Sequence, residues 1–241
     1  MSTNRKKKKF PTEFKLYLIQ VMREADAKRK YRWAINIFEK YLREFDVDTN
    51  MKYRLGLLYD HLAIFKHRKK RNDRQKKLFN YYLKKSEEIY KYVIKENSAS
   101  ALGHLGLARV YYFLGQERKS NYFSKKAHKL NFQLPKDKRG SLGIGGFFLD
   151  AGDFKKAEAW FKKELKDLGE NDLGVNVNLV IFYDVTKQYK KAIPYVLKSE
   201  KLIKKEISRK NYKNFNKVET NKTLSAIQSR INRIKKKTEV K

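Results

Sequence analysis

The chain of 241 residues has no cysteine, only three prolines and only two tryptophans. Without thiols there is no disulfide staple, no thiol nucleophile and no cysteine zinc site. Scarce proline lets helices run long, because proline removes a helix hydrogen bond and clashes with the preceding turn. Acidic residues are also few: 26 Asp and Glu face 59 Lys and Arg, a formal charge of +33. A membrane helix needs about 20 consecutive apolar residues, and no such run occurs. The longest apolar cluster, around Val175 to Val185, is broken by Asn176, Asn178 and Asp184. The first residues, Met1 to Lys9, are basic and lead into an amphipathic segment, without the apolar core and cleavage site of a secretory signal. The expectation is an intracellular, cytoplasmic protein with no membrane insertion. Asn221-Lys222-Thr223 matches a glycosylation acceptor, which has no use without a secretory route.

What is present is material for helices. Hydrophobic residues make up 41% and aromatics 14% of the chain, enough for a core despite the charge. Apolar residues recur at spacings of three and four, the mark of amphipathic helices. Leu18, Val21, Met22 and Ala25 form one face, and Tyr31, Ala34, Ile35, Phe38 and Tyr41 the next. The same alternation continues through Met51 to Phe65, Phe79 to Val93, Ala101 to Tyr111 and Ser120 to Leu130. It then runs through Ile144 to Phe148, Ala157 to Leu165, Leu179 to Tyr183 and Ala192 to Leu202. These segments predict five helix-turn-helix units starting near Lys15, Thr49, Ala101, Lys138 and Leu173, with steps of 34, 52, 37 and 35 residues. Self-similarity at such a period marks units that bury their apolar faces only by stacking.

Two features carry a resemblance. Leu55-Gly56-x-x-Tyr59 and Ile144-Gly145-x-x-Phe148 lead into Ser86-x-x-x-Tyr90 and Ala157-x-x-x-Phe161. Ala151-Gly152-Asp153-Phe154-Lys155-Lys156-Ala157-Glu158-Ala159-Trp160-Phe161 has its centre repeated at Tyr189 to Ile193 and at Tyr31 to Ile35. The chain resembles a tetratricopeptide repeat protein over residues 12 to 205. It departs from the pattern where a proline usually closes each unit: Asp46, Ser98, Phe132 and Gly169 stand near those places. The resemblance implies an all-α fold, a right-handed superhelical array of antiparallel helix pairs. Residues 1–11 are then a basic N-terminal tail and 206–241 a basic capping helix and tail. Leu224, Ile227, Ile231 and Ile234 form a short stripe suited to covering the last unit or, alternatively, to joining a partner helix.

The 52-residue step holds about 18 extra residues between Phe65 and Tyr82. Shared by two helices, they lengthen each by about nine residues, or about 13 Å. The expectation is a projecting basic hairpin around residues 66–82. Cations gather there and at both ends: Lys6, Lys7, Lys8 and Lys9; Arg68, Lys69, Lys70, Arg71, Arg74, Lys76 and Lys77; and Lys235, Lys236 and Lys237. Clustered cations are what contact with a polyanion requires. Against this, Lys outnumbers Arg by 44 to 15, and bidentate phosphate recognition favours Arg. A coding bias toward Lys is the alternative source of the charge.

The resemblance further implies a ligand groove lined by the first helix of each unit. Carried onto this chain, its candidates are Arg23, Tyr53, Arg54, Asp60, His61, Arg109, Tyr112, Phe113, Arg139, Asn178 and Asp184. Of the aromatics, Tyr53, Tyr112 and Phe113 lie off the main apolar face and are expected to be exposed. Phe38, Tyr59, Tyr90, Tyr111, Phe148, Phe161 and Tyr183 are expected in the core. The Lys and Asn clamp of chaperone-binding relatives is missing, since Ile19, Arg23, Tyr53 and Leu57 occupy its places. No catalytic constellation, cofactor or metal site is legible. Gly140, Gly143, Gly145 and Gly146 lack the Lys-Ser/Thr ending and the preceding strand of a phosphate loop, so close helix packing explains them. The four histidines have no metal-ligand spacing, and Glu87 and Glu88, being adjacent, point to different helix faces. The expected function is a non-catalytic scaffold for a protein or peptide, with RNA or ribosome binding as the alternative.

Overall fold

A computed structural model describes residues 8–9, 11–46, 49–66, 72–135, 141–208 and 217–238. These residues form an all-helical fold, apart from a ladder of two residues on each side in which β1 (Lys8–Lys9) runs parallel to β2 (Phe45–Asp46). The chain divides into two compact units, Met1–Gln133 and Leu134–Lys241. The first contains α1 (Thr12–Lys28), α2 (Tyr31–Glu44), α3 (Thr49–His61), α4 (Asp73–Glu96), α5 (Ala101–Phe113) and α6 (Glu117–Gln133). The second contains α7 (Ile144–Ala151), α8 (Phe154–Leu168), α9 (Leu173–Val185), α10 (Tyr189–Ser208) and α11 (Lys217–Thr238). Among the described residues no helix is long and apolar enough to cross a membrane.

Local chemistry sets the helix ends. Side chains of Asn72, Ser100, Asp153 and Asp172 accept from the backbone N–H three residues ahead at 2.8–3.1 Å. Each supplies a partner to a donor that the first helical turn leaves open. Gly152 closes α7 at φ +79°, a left-handed conformation that costs glycine nothing.

Within each unit consecutive helices pack on one another, and the buried positions on the second helices recur. Ala34, Ser86, Ser120, Ala157 and Ala192 are no more than 1% exposed. Four residues further on, Phe38, Tyr90, Ser124, Phe161 and Val196 are no more than 2% exposed. A Cβ on Gly145 would lie 2.6 Å from Phe161 and 2.8 Å from the Ala157 carbonyl oxygen; one on Gly56 would lie 2.5 Å from Tyr90. Gly145 therefore brings α7 to backbone distance of α8, and Gly56 leaves room on α3 for the Tyr90 ring. Tyr90 is also met by α5, since a Cβ on Gly106 would again lie 2.5 Å from its ring. All seven aromatics expected in the core are buried. Each contributes about 1.5–3 kcal/mol of transfer free energy.

The 18-residue insertion divides unevenly in its described part. After α3 the chain winds into a π-helical turn, Leu62–Lys66, whose Leu62, Ala63 and Ile64 are buried. That arm thus packs into the core. On the other arm, α4 begins at Asp73, six residues ahead of its first buried side chain, Phe79. The tip lies outside the described residues. In the second unit α11 packs on α10 and α9, burying Ile231 and Ile234.

Candidate binding surfaces

Most residues expected to line a groove are instead held by their own unit. In the first unit Asp60 on α3 is fully buried, accepts a hydrogen bond from Tyr90 Oη at 2.8 Å and lies 3.6 Å from Arg109 Nε on α5. Burial pushes its carboxyl above the ordinary range, and Arg109 opposes that shift. Tyr53 packs its ring 5.6 Å from that of Tyr90. It is only 8% exposed, and burial raises its phenol to about 12. The expectation of an exposed Tyr53 is therefore corrected: Tyr53, Asp60 and Arg109 form a polar cluster around Tyr90. The reason is geometric. Helices α3 and α5 both pack against α4 as well as against each other, so they are buried over more than the single stripe that periodicity reveals.

The remaining candidates of this unit divide by exposure. Tyr112 and Phe113 are half-buried and meet edge to face at 5.6 Å. Arg54 is half-buried, with Nη1 3.7 Å from Met22 Sδ. His61 Nδ1 lies 2.9 Å from Asp26 Oδ1, with the ring edge-on to Tyr31. Arg23 is exposed.

In the second unit Asn178 donates to Ser141 Oγ at 3.0 Å, and Ser141 donates to Glu164 Oε2 at 2.6 Å. Backbone N–H groups of Gly143 and Ile144 donate to Ser141 Oγ at 3.1 Å and Glu164 Oε1 at 3.4 Å. Glu164 is 1% exposed; this carboxylate holds the positive end of α7, and burial pushes its pKa up. Sequence reasoning missed Glu164. Its signal was present, because it stands seven residues after Ala157 on the buried face of α8. Asp184, 7% exposed at its side chain, is paired with Arg233 and lies 3.6 Å from Arg230, both on α11. Asn178 and Asp184 thus each have a partner within the second unit.

Of the basic candidates, Lys6, Lys7, Arg68, Lys69, Lys70 and Arg71 lie outside the described residues, as does the groove candidate Arg139. Lys8 and Lys9 form β1. Arg74, Lys76 and Lys77 are exposed on the first turns of α4, with Lys76 3.4 Å from Asp73. Lys235 pairs with Glu200 at 3.3 Å and Lys237 donates to Tyr189 at 2.8 Å, while Lys236 is exposed.

Carboxylates elsewhere are also engaged within the fold. Glu87 binds Lys91 and Tyr111, and Glu158 binds Lys162 and Tyr183, at 2.7–2.9 Å. The outward surface is left cationic. Three exposed tyrosines carry lysines over their rings: Tyr92 with Lys52 at 4.2 Å, Tyr81 with Lys85 at 5.9 Å and Tyr122 with Lys126 at 6.0 Å. No protein-family model matches the chain, and no curated protein does.

Proposed function

We propose that the protein is a non-catalytic scaffold of tetratricopeptide-like helix pairs that holds an acidic protein or peptide. The observation that carries this reading is the asymmetry of charge use. Asp60, Glu164 and Asp184 are buried and bound within the fold, and Glu87, Glu158 and Glu200 are engaged by neighbouring side chains, while the chain carries a formal charge of +33. Such a field attracts acidic surfaces and raises association rates, with strong dependence on salt. The repeat reading is supported by the recurrent buried positions on the second helices and by the glycine contacts at Gly56 and Gly145. Since Tyr53, Asp60, Arg109, Asn178 and Asp184 are engaged internally, recognition falls to exposed basic side chains such as Arg74, Lys76 and Lys77.

The exposed tyrosine and lysine pairs at Tyr81, Tyr92 and Tyr122 favour a second reading, binding of single-stranded RNA by base stacking. One experiment separates the two. Binding of a poly-glutamate peptide and of an RNA oligonucleotide is measured by fluorescence anisotropy across a salt series. The first reading expects the peptide to bind and to weaken when Arg74, Lys76 and Lys77 are replaced together by Ser. RNA binding that outlasts peptide binding at high salt and falls with Tyr122→Ala selects the second. If neither ligand binds, or neither affinity responds to salt, both charge-based readings fail.

A further inference from the structure

The cations of α11 follow two different fates. Arg230, Arg233 and Lys235 approach the carboxylates of Asp184 and Glu200. Lys237 instead enters a hollow of about 580 Å3 formed by the turn before α10 and the last turn of α11. Its ammonium donates to Tyr189 Oη at 2.8 Å and lies 4.6 Å from the ring centre. Because the phenol accepts this bond, its own proton is left for another acceptor. Lys187, Lys190 and Lys191 line the same hollow, and among the described residues no Asp or Glu does. Glu158, whose carboxyl senses the charge of Lys191, is already bound by Lys162 at 2.8 Å and Tyr183 at 2.9 Å.

A second observation is independent of the charge. Lys187 has φ +59°, a left-handed conformation that a residue with a Cβ adopts only at a cost. The same place, two residues ahead of the next helix, is glycine in the turns before α6 and α8, Gly115 at φ +75° and Gly152 at φ +79°; before α2 it is Arg29. Lysine at 187 thus adds a fourth cation to the hollow where glycine relieves the strain in two sibling turns. The first residues of α10 line the hollow too, at the positive end of a 20-residue helix.

We infer that this hollow is a binding site for a compact polyphosphate, a ligand with two or three adjoining phosphate groups. Four lysine charges and a phenol donor match the charge and acceptors of a triphosphate, whereas a single carboxylate or orthophosphate leaves most of those cations unneutralised. Lysine serves as a point charge for such groups, so no bidentate geometry is needed. The site uses none of Arg74, Lys76, Lys77 or Tyr122, so its failure and that of the acidic-partner reading are distinguishable.

The test is calorimetric titration of the full chain with inorganic tripolyphosphate at about 0.15 M salt, where the Debye length is about 8 Å. Orthophosphate and ATP are run alongside. Saturable binding of one tripolyphosphate is expected, with orthophosphate much weaker. Replacing Lys190 and Lys191 by Ala weakens it about tenfold or more, the effect of losing a charge-assisted hydrogen bond. Replacing Lys125 and Lys129, exposed on α6, an equal loss of charge, leaves it unchanged. Lys187→Gly keeps the fold testable: it raises the melting temperature by removing strain while lowering affinity. ATP equal to tripolyphosphate identifies the phosphate chain as the whole ligand, and tighter ATP identifies a nucleotide. The inference is overturned by absent saturation, by orthophosphate binding as well as tripolyphosphate, or by equal loss in the two double variants.

Discussion

Gly145 and Gly146 are neighbours on α7, and the fold demands opposite responses from them. A Cβ on Gly145 would come within 2.6 Å of Phe161 and 2.8 Å of the Ala157 carbonyl oxygen, whereas one on Gly146 meets nothing within 4 Å. Phe161 cannot retreat easily: it is 2% exposed and its ring lies 6.0 Å from Phe182. The carbonyl belongs to the α8 backbone, so relief requires the helix pair to separate. Overpacking of this kind costs about 1–3 kcal/mol, and replacing a helical glycine by alanine returns about 0.5–1 kcal/mol. Gly145→Ala should therefore lose about 1–2 kcal/mol and Gly146→Ala gain up to about 1 kcal/mol. A separation of about 2 kcal/mol corresponds to melting temperatures roughly 8–16 °C apart in a unit of this size. Thermal unfolding followed by Trp160 on α8, in a Trp33→Phe background that leaves one tryptophan, reports on the second unit. Equal melting temperatures for the two variants would refute the close approach of α7 to α8.

Two further outcomes concern charged groups in the second unit. Burial raises the pKa of Glu164 above its ordinary value of 4.5, so the folded state holds this proton more firmly than the unfolded chain. Its stabilising share is full below about pH 4.5 and is lost as pH rises through the raised value. Glu164→Gln should flatten that decline, read from urea midpoints between about pH 4 and pH 8; a slope identical to the parent protein's would show that Glu164 is not the group responsible. Asp184→Asn should loosen α11, because Arg230 and Arg233 lose their carboxylate. Arg233 is 55% exposed at its side chain but Asp184 only 7%, which places the cost near 1 kcal/mol, between an exposed pair and a buried charged hydrogen bond. Amide exchange in α11 should accelerate about fivefold for that cost, and unchanged exchange would count against the pairing.

Periodicity alone revealed the helices and their aromatic cores. The spacing of three and four residues is a direct projection of the helix onto sequence, so Phe38, Tyr90 and Phe161 were legible as buried. Tyr53, Asp60 and Arg109 were not, because burial there comes from a third helix that no local window contains. Polar side chains are especially opaque in this respect. Asp60 is buried because Tyr90 and Arg109 meet it across the fold, and a sequence shows a carboxylate without its partners.

The sequence by itself determined the all-helical class, the buried aromatic faces and the excess of positive charge, since these follow from composition and residue spacing; the helix pairs begin at Thr12, Thr49, Ala101, Ile144 and Leu173, giving steps of 37, 52, 43 and 29 residues instead of the expected 34, 52, 37 and 35. Tertiary structure decided which charges remain available. Asp184 and Glu200 are met by α11, Glu164 is enclosed by Ser141 and the α7 amides, and Lys187, Lys190, Lys191 and Lys237 gather in one hollow. The physical reason is that electrostatic interaction depends on distance and burial, and both are set when helices far apart in sequence pack together.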